Sequence, residues 1–102
     1  MEVRLLYFAD CPHWRLAEAR LRAALAGLED TGSAVTHELV ETPEQAERTG
    51  FRGSPTILVD GLDPFATPDD PVGLSCRIYR GPDGVEHSPT VAQLLAVLSS
   101  GN

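Results

Sequence analysis

The sequence predicts an α/β fold in a single domain spanning residues 1–102, and three observations carry that prediction. Short apolar runs rich in strand formers alternate along the chain with segments whose apolar residues recur at helical spacing. Proline and glycine fall between these segments rather than inside them. The hydrophobic share of 42 % and charged share of 23 % match a globular chain rather than a disordered or membrane-embedded one.

The elements follow in order. Val3 to Phe8 is an apolar strand, ended by Ala9-Asp10-Cys11-Pro12, where the proline suits the first turn of a helix. From Pro12 to about Asp30, Trp14, Ala17, Leu21, Ala24, Leu25 and Leu28 share one helical face, and Gly32 stops the helix. Ala34 to Val40 alternates as a half-buried strand. Thr42-Pro43-Glu44-Gln45 then offers an N-cap, a first-turn proline and a reciprocal glutamine for a second helix that ends at Gly50. Pro55 to Val59 is a third strand and Ser75 to Tyr79 a fourth, followed by the turn Gly81-Pro82-Asp83-Gly84. Ser88-Pro89 opens the last helix, with Val91, Leu94, Leu95 and Leu98 as its apolar face. An irregular stretch from Asp60 to Leu74 carries Pro64, Pro68 and Pro71, and its length marks it as functional or as incompletely assigned.

Charge narrows the partners. The formal net charge is −7 and every basic residue is an arginine, so no cationic stripe is available for nucleic acid. No segment is long and apolar enough to suggest a membrane span. The N-terminal run passes directly into a strand without the apolar stretch and cleavage site of a secretory signal, which predicts a cytoplasmic location. In that compartment Cys11 and Cys76 are expected as thiols, lying at opposite ends of the sheet and unpaired.

Cys11 stands where the first strand passes into the first helix, near free N–H groups and the positive end of the helix dipole, a position that favours thiolate. His13, two residues on, would favour it further when protonated, whereas Asp10 opposes it unless its carboxylate caps the helix. His37 shares a strand face with Val35 and Leu39 and reads as structural, and His87 has no recognisable partner. Arg52 reads either as a solvated loop arginine or as an attractor of an anionic thiol. Ser54-Pro55-Thr56 follows two glycines and leads into a β-branched strand, unlike Ser88-Pro89-Thr90, which leads into a helix. No hydrolase triad, zinc-protease motif or phosphate loop occurs.

Phe8-Ala9-Asp10-Cys11-Pro12-His13-Trp14 resembles the active-site turn of the thioredoxin superfamily, in which Cys-x-x-Cys opens the first helix. Gly50-Phe51-Arg52-Gly53-Ser54-Pro55-Thr56 resembles that superfamily's second signature, whose proline is cis and faces the reactive cysteine. Short bacterial thioredoxin-fold proteins often labelled alkylmercury lyases are similar as well. The resemblance implies a thioredoxin-like fold of βαβ plus ββα around a central four-stranded mixed sheet flanked by helices. It implies Cys11 and His13 as catalytic residues and Trp14, Arg52, Ser54 and Pro55 as the substrate-facing ones. Trp14 stands where the resolving cysteine belongs, and the first strand lacks the acidic residue that thioredoxins place there.

The function expected from this pattern is thiol-dependent redox chemistry by a monothiol route through Cys11, with a low-molecular-weight thiol or a protein thiol as partner and no cofactor or resident metal. Two alternatives stand beside it. One is a thioredoxin-like binding or adaptor module without turnover. The other is a soft-metal or organomercurial thiol-binding protein, for which Cys11, Cys76 and Asp10 are suitable ligand types.

Overall fold

The computed structural model describes residues 2–9, 11, 13–28, 34–66, 73, 77–82 and 84–100. The elements are β1 (Glu2–Tyr7), α1 (Trp14–Gly27), β2 (Ala34–Leu39), α2 (Pro43–Thr49), β3 (Thr56–Val59), β4 (Tyr79–Gly81), β5 (Gly84–Glu86) and α3 (Val91–Ser100).

β1 is the middle strand of a three-stranded mixed sheet in the order β2-β1-β3. It pairs in parallel with β2 from Glu2↔Ala34 to Tyr7↔Leu39, and α1 makes the crossover that parallel pairing demands. It pairs antiparallel with β3 from Val3↔Val59 to Leu6↔Thr56. Because successive strand residues face opposite ways, the sheet serves two cores. Val3, Leu5 and Ile57 face α1 and α3 and pack with Ala17, Leu21, Ala24, Leu25, Leu94 and Leu98. Leu6 and Leu58 face the other side, toward Val40, Ala46 of α2 and Phe51. Among the described residues no helix is long and apolar enough to cross a membrane.

α2 forms as its sequence predicts. Thr42 Oγ1 accepts from the Gln45 N–H at 3.1 Å, Gln45 Oε1 accepts from the Thr42 N–H at 3.1 Å, and Gly50 ends the helix at φ 70°. Thr42→Ala is therefore expected to lower stability by about 1 kcal/mol, seen as a lower urea midpoint. An unchanged midpoint would mean that the cap contributes nothing.

Three expectations need correction. The central sheet is not four-stranded: β4 starts at Tyr79, where the expected strand ended, and pairs with β5 in a separate hairpin from Tyr79↔Glu86 to Gly81↔Gly84. The tight turn between Gly81 and Gly84, with Gly84 at φ 113°, folds the chain back on itself, so β4 takes its partner locally. Contact with the start of β3 persists through the Arg77 N–H, which donates to the Ser54 carbonyl at 2.9 Å. Residues 75 and 76 of the expected strand lie outside the described residues. The first helix begins at Trp14 and ends at Gly27, shorter than expected at both ends, and its expected stop at Gly32 also lies outside them.

The last helix begins at Val91 rather than at Ser88-Pro89. Thr90 and Gln93 exchange hydrogen bonds, Gln93 N–H to Thr90 Oγ1 at 3.1 Å and Thr90 N–H to Gln93 Oε1 at 2.9 Å, a second capping box. Of the irregular stretch, residues 60–66 and 73 are described. Its start is a tight turn, with Asp60 at φ 51° and Gly61 at φ 85°, closed by the Val59↔Leu62 bridge.

Candidate functional site

The site is built where the end of β1 meets the segment entering β3. After Phe8 the chain turns, and the Cys11 N–H donates to the Phe8 carbonyl at 3.0 Å. Opposite, residues 52–56 bond to themselves: Thr56 Oγ1 donates to the Gly53 carbonyl at 2.6 Å and accepts from the Arg52 N–H at 3.3 Å. Gly53 takes φ 108°, a conformation that suits glycine. The Ser54-Pro55 peptide bond is cis, as the sequence resemblance implies.

The two segments then clasp. Ser54 Oγ accepts from the Phe8 N–H at 3.2 Å, and the Cys11 thiol donates to the Ser54 carbonyl with Sγ and O 3.6 Å apart. That sulfur–oxygen length is a weak hydrogen bond, but its direction is clear, because a carbonyl only accepts. The same carbonyl accepts from the Arg77 N–H, and the Pro55 carbonyl accepts from the Tyr79 hydroxyl. Cys11, a free thiol, is 0 % exposed.

The other predicted residues fall around this clasp. His13 occupies the N-cap position of α1, where its carbonyl accepts from the Ala17 N–H at 3.3 Å but its side chain makes no capping hydrogen bond. Its ring stacks on His87 at 3.9 Å between centroids and 6° between planes, which supplies the partner that the sequence did not reveal for His87. Trp14 is half-buried and stacks on Tyr7 at 4.4 Å, with His37 against its edge at 5.5 Å and the Arg15 guanidinium 5.0 Å above the ring. The structural reading of His37 finds its physical basis in Glu18, whose carboxylate lies 2.6 Å from Nε2. Arg52 lines a separate groove of about 750 Å³ with Gly50, Leu58, Asp60 and Leu62, and neither Cys11 nor Ser54 belongs to that lining.

No family model, curated protein or solved structure matches this chain. Its chemistry must be argued from its own geometry. Asp10 and Cys76, grouped with Cys11 as ligand types, lie outside the described residues, and among the described ones no group of three or more histidine, cysteine or acidic side chains is placed to hold a metal.

Sequence reasoning missed Arg77, Asp63 and Tyr79. Arg77 and Asp63 form an ion pair at 2.6 Å whose side chains are only 6 % and 7 % exposed. The guanidinium lies 4.7 Å from the Tyr79 ring centroid, and Asp63 Oδ1 also accepts from the Phe65 N–H at 2.9 Å. Asp63-Pro64 carried a local signal, since aspartate before a proline favours a turn bonded to its own side chain. Nothing local announced Arg77, whose partner is fourteen residues away.

Proposed function

We propose that this chain is a thioredoxin-like, thiol-dependent redox protein that works by a monothiol route through Cys11. The observation that carries the reading is the Cys11 sulfur set 3.6 Å from the Ser54 carbonyl, just ahead of α1 and against the turn that enters β3. In this reading the turn is the backbone platform, and the thiol leaves its hydrogen bond to the Ser54 carbonyl before it reacts.

In the proposed reaction the turn around Cys11 opens to admit water, the thiol leaves the Ser54 carbonyl and gives its proton to that water, and the thiolate attacks one sulfur of a disulfide. A Cys11–sulfur bond forms while the substrate's own sulfur–sulfur bond breaks, and the expelled thiolate takes up a proton. A second thiol then attacks the mixed disulfide, releasing a new disulfide and restoring the Cys11 thiol. With Trp14 in the third position after Cys11, the turn itself carries no second thiol, so the proposed releasing thiol comes from a low-molecular-weight compound or a protein. Arg52 lines its own groove, and its part in binding an anionic thiol would require that thiol to reach there. His13 acts by holding the start of α1 against the turn before α3 through its stack on His87.

A specific observation favours a second reading. Cys11 is 0 % exposed, and a covered thiol that bonds to a backbone carbonyl suits a binding or adaptor module that keeps the fold without turnover. Incubation of the reduced, folded protein with glutathione disulfide separates the two. The redox reading expects one glutathione adduct at Cys11, removed by a thiol reductant, and no such adduct in Cys11→Ser. A native protein that stays unmodified at Cys11 belongs to the binding class.

A further inference from the structure

We infer that Arg77, anchored by Asp63, is a positioning residue that holds the Ser54 carbonyl where it seats the Cys11 thiol. The inference deepens the redox reading above and rests on it for its bearing on turnover.

The Ser54 carbonyl receives two donors. The Cys11 thiol approaches the Ser54 oxygen at 3.6 Å and the Arg77 N–H at 2.9 Å. The backbone of residue 77 therefore fixes the oxygen on which the thiol rests. That backbone is itself fixed by its side chain. The guanidinium pairs with both carboxylate oxygens of Asp63, NH1 to Oδ2 at 2.6 Å and NH2 to Oδ1 at 3.4 Å, in nearly complete burial. A forked, buried pair of this kind has one good geometry, and leaving it strands a charge away from water. Tyr79, under the guanidinium, adds a second hold on the same turn through its hydroxyl on the Pro55 carbonyl. The segment 60–66 thus acts as a strap that reaches from the far end of β3 back to the thiol's seat.

The consequence is specific. Removing the tether without unfolding the chain should free the Ser54 carbonyl to move, weaken the thiol's hydrogen bond and open Cys11 to disulfides. Cutting only one partner is a poor test, because a lone buried charge can unfold the domain. Replacing both partners by apolar residues of similar size avoids this, as buried ion pairs are often exchanged for apolar groups at little or no loss of stability.

The experiment uses Cys76→Ser as background, so that Cys11 supplies the remaining thiol, and compares it with the combined Asp63→Leu and Arg77→Met variant. The readout is the infrared S–H stretch, which reports whether the thiol donates a hydrogen bond. In the folded combined variant the band is expected to move toward that of a free thiol, and native-state reaction with glutathione disulfide to accelerate about threefold, the rate equivalent of losing a hydrogen bond at the weak end of the usual range. Arg77→Lys, which keeps a cation for Asp63 but loses the fork, is expected to move the band less than the combined variant does. A folded combined variant with an unmoved S–H band overturns the inference, as does a band equally displaced in Arg77→Lys. Failure of the redox reading looks different: the parent protein then forms no glutathione adduct, while the S–H band still reports on the seat.

Discussion

Phe51→Ala is expected to lower stability by about 3–5 kcal/mol, the range for deleting a fully buried phenylalanine. The side chain is 0 % exposed and packs among Leu6 of β1, Val40 just after β2, Ala46 of α2 and Leu58 of β3. This core is the smaller of the two, so one large ring fills much of it. Collapse around the cavity is restricted because the backbone at Phe51 is pinned on both sides. Its N–H donates to the Ala46 carbonyl at 2.9 Å, and its carbonyl accepts from the Gly73 N–H at 3.1 Å. Domains of this size hold about 5–15 kcal/mol in total, so the variant should sit near its unfolding threshold at room temperature. Chemical denaturation provides the measurement, with Leu62→Ala as a control. Leu62 is 75 % exposed, and its truncation should change stability by less than about 0.5 kcal/mol. A loss at Phe51 no larger than that of the control would mean that the α2 face of the sheet is not a packed core.

The position of Phe51 also links stability to the site. It lies three residues before Ser54, and the segment between them carries the Arg52–Thr56 and Thr56–Gly53 hydrogen bonds that shape the thiol's platform. Loosening the core at Phe51 should therefore raise Cys11 reactivity before the domain unfolds globally, in keeping with the uneven local stability of small domains.

What was legible in the sequence was local. Thr42-Pro43-Glu44-Gln45 announced a capped helix because all the groups that make the cap lie within four residues, and the structure forms it as expected. Thr90 and Gln93 carry the same signal, yet Ser88-Pro89 just upstream offered a competing start. The hairpin was harder to read. Gly84-Val85-Glu86 is short, and Val85 is 55 % exposed, so it lacks the apolar alternation that marks a half-buried strand. Without a visible local partner, the strand ending at Tyr79 reads from sequence as part of the central sheet.

The site divides along the same line. Cys11 before a helix and Ser54-Pro55 before a strand were both visible, because helix starts and special turns are written in neighbouring residues. The complete burial of Cys11 and the direction of its hydrogen bond depend on a segment more than forty residues away. The stack of His13 on His87 and the Arg77–Asp63 pair are likewise products of tertiary placement. Pattern and propensity carry no information on such pairs until the fold brings them together.

Trp14→Cys is expected to convert the monothiol turn into a dithiol one. Trp14 is the first residue of α1 and stands three positions after Cys11. Residues three apart around a helix start lie about 5–6 Å from each other at Cβ, and a disulfide needs Cβ atoms about 3.5–4.5 Å apart, so closure requires the turn to draw in by about 1–2 Å. The substitution also removes the ring stacked on Tyr7 at 4.4 Å, a contact of the kind worth about 0.5–1.5 kcal/mol beyond its burial. The reduced variant should therefore be less stable than the parent, and Trp14→Ser serves as the control that loses the ring without gaining a thiol. In mildly oxidising buffer the cysteine variant should lose two titratable thiols within one chain, and once reduced and freed of reductant it should reduce a protein disulfide in a single turnover with no added thiol, which neither the parent nor Trp14→Ser should do. The decisive result lies in the folded, oxidised sample. If both thiols at the turn stay free there, the start of α1 does not present the geometry that Cys-x-x-Cys exchange requires, and the thioredoxin-like reading of Cys11 fails with it.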